Sequence, residues 1–200
     1  MRILMVNELS EEEIIRRLRG FDHANYSELG PEATHRPLRA AAVLIPLIRQ
    51  ADQWHILYTR RTDIVEHHKG QVSFPGGGAD PQDRSPEDTA LRETEEEIGV
   101  RRGDVRVLGR LGEVATISHY VVTPVVGVIP WPYGFKVHTI EVERVISMPL
   151  AWLARRENRM EFVRSETGHS VITFLPYDGE LLWGATARMT VNFIKALGVE

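Results

Sequence analysis

No cysteine occurs among the 200 residues. That excludes a disulfide framework and thiolate chemistry, leaves no sulfur ligand to favour a soft metal ion, and agrees with a cytosolic setting. Long apolar runs are missing too. The longest, Ala40 to Ile48, falls far short of the roughly 20 residues that cross a bilayer. The start, Met1-Arg2-Ile3-Leu4-Met5-Val6-Asn7-Glu8, meets its first acid too early for a signal peptide. A soluble, cytoplasmic protein with no membrane partner is expected. Neither sign of charge dominates: the net charge is −4 with both signs interspersed, so there is no basic footprint for nucleic acid. A small anionic ligand could still be held through a metal. Repeats, linkers and low-complexity stretches are absent as well. An apolar content of 42 % is enough for one compact unit with a real core. Residues 1–38 would add an N-terminal helix and a connecting loop to a main body of 39–200. Nothing in the sequence decides between a monomer and a homodimer.

What is present is concentrated between Gly70 and Val100, where a glycine-rich loop, Phe74-Pro75-Gly76-Gly77-Gly78, leads into a short acidic helix. Ser85 suits an N-cap and Pro86 the first helical position. Glu87 and Asp88 favour the positive end of the dipole, and Gly99 supplies a stop, which predicts a helix over 86–98. At roughly 100° per residue, Glu93, Glu96 and Glu97 share one arc while Leu91, Thr94 and Ile98 gather opposite, facing a core. Like charges three and four apart cost an isolated helix roughly 0.2–0.5 kcal/mol per pair, and no lysine stands at matching spacing. A cation should sit there. Carboxylate oxygens suit Mg²⁺ or Mn²⁺, although an acidic helix face is most often just solvated. The glycines weigh against that plain reading, because they let a backbone come close to a phosphate beside the carboxylates.

These residues resemble the Nudix hydrolases, whose signature is G-x5-E-x7-R-E-U-x-E-E-x-G-U with U bulky and apolar. Arg92-Glu93-Thr94-Glu95-Glu96-Glu97-Ile98-Gly99-Val100 matches the second half, with Thr94 at an apolar position. The first half departs: six positions after Gly77 stands Asp83 instead of Glu, one residue further from Arg92 than usual. Counting from Gly78 restores the spacing and puts Arg84 there. Upstream, Leu57-Tyr58-Thr59-Arg60-Arg61-Thr62 followed by Gly70-Gln71-Val72-Ser73-Phe74-Pro75-Gly76-Gly77 is similar to an element of the coenzyme A pyrophosphatase branch, with Glu66 replacing one of its arginines. The segment Leu182 to Arg188 is also similar to that branch, so the likeness runs from Arg39 to Leu197.

The resemblance implies an α/β/α sandwich with a mixed sheet between helices. It implies Mg²⁺ (or Mn²⁺) held by Glu93, Glu96 and Glu97 with the Gly77 carbonyl, and Arg92 orienting the glutamates. The substrate would be a small nucleotide diphosphate, with coenzyme A or an acyl derivative preferred and cleaved to 3′,5′-ADP and a 4′-phosphopantetheine product. ADP-ribose, a dinucleotide or a nucleoside triphosphate are the alternatives. A sensing domain without turnover is a further one, though it would be expected to lose metal ligands that are all present here. Glu93, Glu113 and Glu143 are candidates for the general base. Arg60, Arg61, Lys69, Phe74, Gly76 and Gly77 are candidates for substrate contacts, since cations before the glycine loop could meet phosphate oxygens. His67 and His68 are adjacent and lack ligand spacing.

Elsewhere, Ser10 and Glu13 form a capping box for a helix over 11–19, and Asp22 to Pro37 reads as a loop. Arg39–Ile48 and Trp54–Thr59 predict an antiparallel pair, with Pro46 marking a bulge or strand end. Further strands are predicted over 105–111, 120–129, 140–146, 161–163 and 171–175. Short helical turns should follow Pro149, and a helix should run from Ala185 to Leu197.

Overall fold

The computed structural model describes residues 6–21, 26–27, 37–63, 70–163 and 170–200. Helix α1 (Glu11–Gly20) starts where Ser10 Oγ accepts from the Glu13 amide, as the capping box requires. Strands β2 (Arg39–Gln50) and β3 (Gln53–Arg61) form the antiparallel pair, with Leu47 opposite Ile56. The predicted loop before them contributes β1 (Tyr26–Ser27), which pairs parallel with β7 (Val114–Ala115). So short a polar pair leaves no periodicity to read.

Nine strands of the described residues form one mixed sheet. At its centre β2 runs parallel to β8 (Tyr120–Val128), from Arg39 opposite Tyr120 to Leu47 opposite Val128. On its other edge β2 changes partner, pairing first with β5 (Gly76–Gly78) and then with β3. Pro46 lies inside β2 at that change. The Leu44 amide bonds the Pro75 carbonyl on the β5 side at 2.9 Å, and a backbone amide two residues on would face the same edge. The missing N–H therefore falls between two partners. The expected bulge or strand end is replaced by an uninterrupted strand. β3 continues to β4 (Val72–Ser73) and β9 (Val142–Pro149), and β6 (Arg106–Arg110) flanks β8. Strands β10 (Arg159–Val163) and β11 (Ser170–Phe174) form a separate antiparallel pair.

Helix α2 (Pro86–Ile98) is the predicted acidic helix: Ser85 Oγ caps the Asp88 amide and Gly99 takes the left-handed conformation at φ 71°. It covers one face of the sheet, where Ala42, Leu44, Ile48 and Leu57 meet Ala90 and Ile98. The other face carries Ala41, Ile45, Leu47, Ile56 and Tyr58, and is covered by α1 and α4 (Gly184–Leu197). The short α3 (Leu150–Leu153) follows β9. Alternate residues of β2 thus enter different cores, which is why it reads as a continuous apolar run. The architecture is the expected α/β/α sandwich with a mixed sheet. Among the described residues no helix is long and apolar enough to cross a membrane.

Candidate active site

The pairing of β5 with β2 sets Gly76 opposite Val43 and Gly78 opposite Ala41, laying the glycine loop along the sheet under α2. At Gly76, φ is 154° and a Cβ would stand 2.4 Å from the Ala42 carbonyl oxygen, so only glycine fits. At Gly77 a Cβ would lie 2.6 Å from the Glu93 carboxyl carbon. The missing side chain is the space in which that carboxylate sits. Phe74 lies in the core, stacked on Tyr58 with ring centroids 4.9 Å apart, and also borders the groove beside the loop.

Arg92 organises the helix end of this site. Its Nη1 donates to Glu93 at 2.7 Å and to Glu96 at 3.2 Å, and its Nη2 to the Gly78 carbonyl at 3.0 Å. Asp83 grips it from the loop through Nε–Oδ1 at 3.1 Å and Nη2–Oδ2 at 3.0 Å, while also accepting from Thr89 and the Asp80 amide. The Arg92 bonds, with those lesser ones, hold the Asp83 carboxyl well below the usual range despite its burial. Asp83 therefore takes a structural part that the irregular spacing of the loop had obscured, and a turn from Asp80 to Asp83 absorbs the extra residue. Thr94, at an apolar position of the motif, is fully buried with its hydroxyl bonded to the Ala90 carbonyl at 2.6 Å.

Glu97 is buried, at 4 % exposure. Among the described residues its Oε2 has no hydrogen-bond partner; the Gly76 amide donates to the carboxylate, and Arg61 Nη1 stands 3.9 Å from Oε1. Burial pushes this carboxyl up to about 8; Arg61 pulls the other way and Glu93 and Glu141 add to the rise. Burial likewise raises Glu93, against the pull of Arg92. Two arginines thus supply cations that the sequence reading sought for the acidic face. Among the described residues, no three acidic or histidine side chains converge as a ready ligand set: Glu93 and Glu96 lean toward Arg92, and Glu96 is exposed.

The remaining predicted residues scatter. Arg60 bonds Glu143 at 2.8 Å and Glu180 at 3.0 Å, a network that also includes Arg144 and ties β3 and β9 to the loop before α4. Glu143 is thereby engaged by Arg60. Glu113 lines a different hollow, beside Leu18, Arg19 and Gly109. Arg61, Gly76 and Gly77 border the groove. Lys69, with Glu66, His67 and His68, lies outside the described residues. Glu141 went unnoticed in the sequence, yet its charge acts on both Glu93 and Glu97. Only the meeting of β3 and β9, where the Thr62 amide bonds the Glu141 carbonyl at 3.0 Å, carries it there.

The NUDIX domain model matches residues 37–171. The chain belongs to the Nudix family. It is 41 % identical over 163 residues to the "Uncharacterized Nudix hydrolase NudL" of Yersinia pestis (strain Pestoides F), covering 80 % of this chain and 81 % of that protein. In fold it is similar to the MutT protein from Methanosarcina mazei Go1, with a TM-score of 0.52, 16 % identity and coverage of 82 % and 95 % of the two chains. It is also similar to the Nudix hydrolase RenU from M. smegmatis, at 0.50 and 21 %, covering 60 % of this chain and 75 % of that one. The protein is therefore a Nudix pyrophosphohydrolase acting on nucleotide diphosphate derivatives, in a family that uses divalent metal ions such as Mg²⁺.

Proposed function

We propose that this Nudix hydrolase cleaves the diphosphate of coenzyme A or an acyl-coenzyme A, giving 3′,5′-ADP and the 4′-phosphopantetheine product, with Mg²⁺ or Mn²⁺. The observation that carries the metal part is the buried Glu97 carboxylate. Among the described residues one of its oxygens is unpartnered, and it sits beside Glu93 and within the field of Glu141. Carboxylate oxygens are the kind of hard donor that a divalent ion takes, and Glu93 and Glu96 would turn from Arg92 to complete the set. Glu93, Glu97 and Glu96, with the Gly77 carbonyl, are the groups that would hold it. When bound, the ion supplies charge neutralisation at the diphosphate and a more acidic water.

The chain's own residues divide the remaining work. Arg92, locked between Asp83 and the Gly78 carbonyl, fixes the direction of Glu93. Arg61 lines the groove, where its charge would meet a phosphate oxygen as charge leaves with the departing phosphate. Gly76 and Gly77 let the ligand approach the backbone. Glu93 is assigned the proton from the attacking water, since its carboxyl is raised by burial and positioned by Arg92.

The choice of coenzyme A follows from the upstream element, Leu57 to Thr62 and Gly70 to Gly77, which contributes Arg61 and the glycines to the groove. Product analysis with Mg²⁺ on parallel samples of coenzyme A, ADP-ribose, NADH and a diadenosine polyphosphate tests it. Fastest release of 3′,5′-ADP from coenzyme A is the expected outcome, and faster cleavage of another diphosphate would replace this substrate.

A further inference from the structure

The groove beside the glycine loop holds about 710 Å³ and extends past Gly78 to a second cation, Arg39. The Arg39 guanidinium lies over the Tyr120 ring, 4.3 Å from its centroid. Among the described residues its side chain has no carboxylate or hydrogen-bond partner, unlike Arg60 and Arg92, which are clamped by acids. A guanidinium stacked by its face keeps its N–H edge available for an anion, and that edge fits the oxygens of a phosphate in a forked pair.

The surroundings hold this arrangement in place. Arg39 and Tyr120 are opposite residues on β2 and β8, and the Arg39 amide bonds the His119 carbonyl at 3.0 Å. The loop before Tyr120 is tied by Thr116, whose amide bonds the Tyr120 carbonyl at 2.8 Å and whose hydroxyl meets Ser118 Oγ at 3.0 Å. It sets Ile117, 61 % exposed, into the groove wall. Trp183 also lines the groove. The Tyr120 ring reaches back to the catalytic loop: a Cβ on Gly78 would stand 4.0 Å from its Cε1. Arg39 is therefore one aromatic ring away from the loop that cradles Glu93.

We infer that Arg39, held flat by Tyr120, is a second anion subsite that reads a phosphate monoester carried by the nucleoside end of the substrate, apart from the diphosphate that is cleaved. This rests on the reading of the glycine loop and α2 as the diphosphate site. It goes beyond it by assigning a specificity residue from strand β2, outside both sequence motifs.

The test is calorimetric binding of 3′,5′-ADP and of 5′-AMP to the full chain, in wild type and in Arg39→Met, which keeps most of the aliphatic stem. Thermal unfolding verifies that the variant is folded. The wild type should prefer 3′,5′-ADP by about tenfold to a hundredfold, the size of one charge-assisted pair. In Arg39→Met the ratio should fall to near one, and Arg39→Lys should restore part of it. No preference in the wild type, or a preference that survives in Arg39→Met, overturns the subsite. Coenzyme A turnover is scored separately. Loss of the preference in Arg39→Met together with failure of the wild type to cleave coenzyme A would leave the subsite standing and remove the proposed substrate. Cleavage of coenzyme A with an unchanged preference in Arg39→Met would do the reverse.

Discussion

Replacing Glu97 by Gln should raise the stability of the metal-free protein while abolishing turnover, two effects of opposite sign from one atom change. The Glu97 carboxyl moves from 4.5 in the unfolded chain to about 8 in the fold, so the folded state keeps a proton that the unfolded state releases. The sign follows: stability is fully retained below about 4.5 and declines as pH rises toward 8. At pH 7 the penalty is on the order of 3 kcal/mol, taking 1.36 kcal/mol per pKa unit. Gln carries no charge and removes that penalty, which for a chain of this size corresponds to a rise in Tm of about 6–12 °C. The assay is thermal unfolding of chelator-treated protein from pH 5 to 8, beside Mg²⁺-dependent release of phosphorylated products. Glu97→Gln should give a flatter pH profile, a higher Tm near neutrality and no detectable product. Glu95, which pairs with Arg102 at 3.1 Å on the surface, is the control, and Glu95→Gln should be mild in both assays. Equal losses of activity in the two variants, or a lower Tm for Glu97→Gln at pH 7, would refute the reasoning.

Two further outcomes are expected. Gly77→Ala places a methyl group 2.6 Å from the Glu93 carboxyl carbon, so kcat should fall by about a hundredfold or more through misplacement of that carboxylate. Gly78→Ala, whose nearest neighbour is 4.0 Å away, should keep most of the wild-type rate in the same assay. Glu180 is pushed up by its burial, but Arg144 and Arg60 pull it further down, so its contribution is present above about 4.5 and lost as pH falls through its lowered value. Acid unfolding followed by circular dichroism should therefore show a weaker dependence below pH 4.5 in Glu180→Gln than in wild type, alongside a lower Tm at pH 7.

Helix α2 was legible in the sequence because its information is local. The cap at Ser85, the stop at Gly99 and the placing of Glu93 and Glu97 on one side all act within a few residues, and the structure repeats them. Strands β2, β3 and β8 were legible for a related reason, since sheet faces buried on both sides leave long apolar runs. The glycines were visible as permission for a close approach. That the approaching group is the Glu93 carboxylate at Gly77, and the Ala42 carbonyl at Gly76, needed the register of β5 on β2.

What the sequence by itself determined is the acidic helix with its caps, the glycine loop that leads into it and the layered α/β plan, because capping, periodicity and glycine spacing are properties of neighbours along the chain. Tertiary structure alone decided which charges meet. It bound Arg60 to Glu143 and Glu180, carried Glu141 toward Glu93 and Glu97 across the β3–β9 pairing, gave Asp83 to Arg92, and laid Arg39 over Tyr120 on adjacent parallel strands. Coulomb energy and desolvation depend on distance through space and on exclusion of water, and neither is encoded in spacing along the chain.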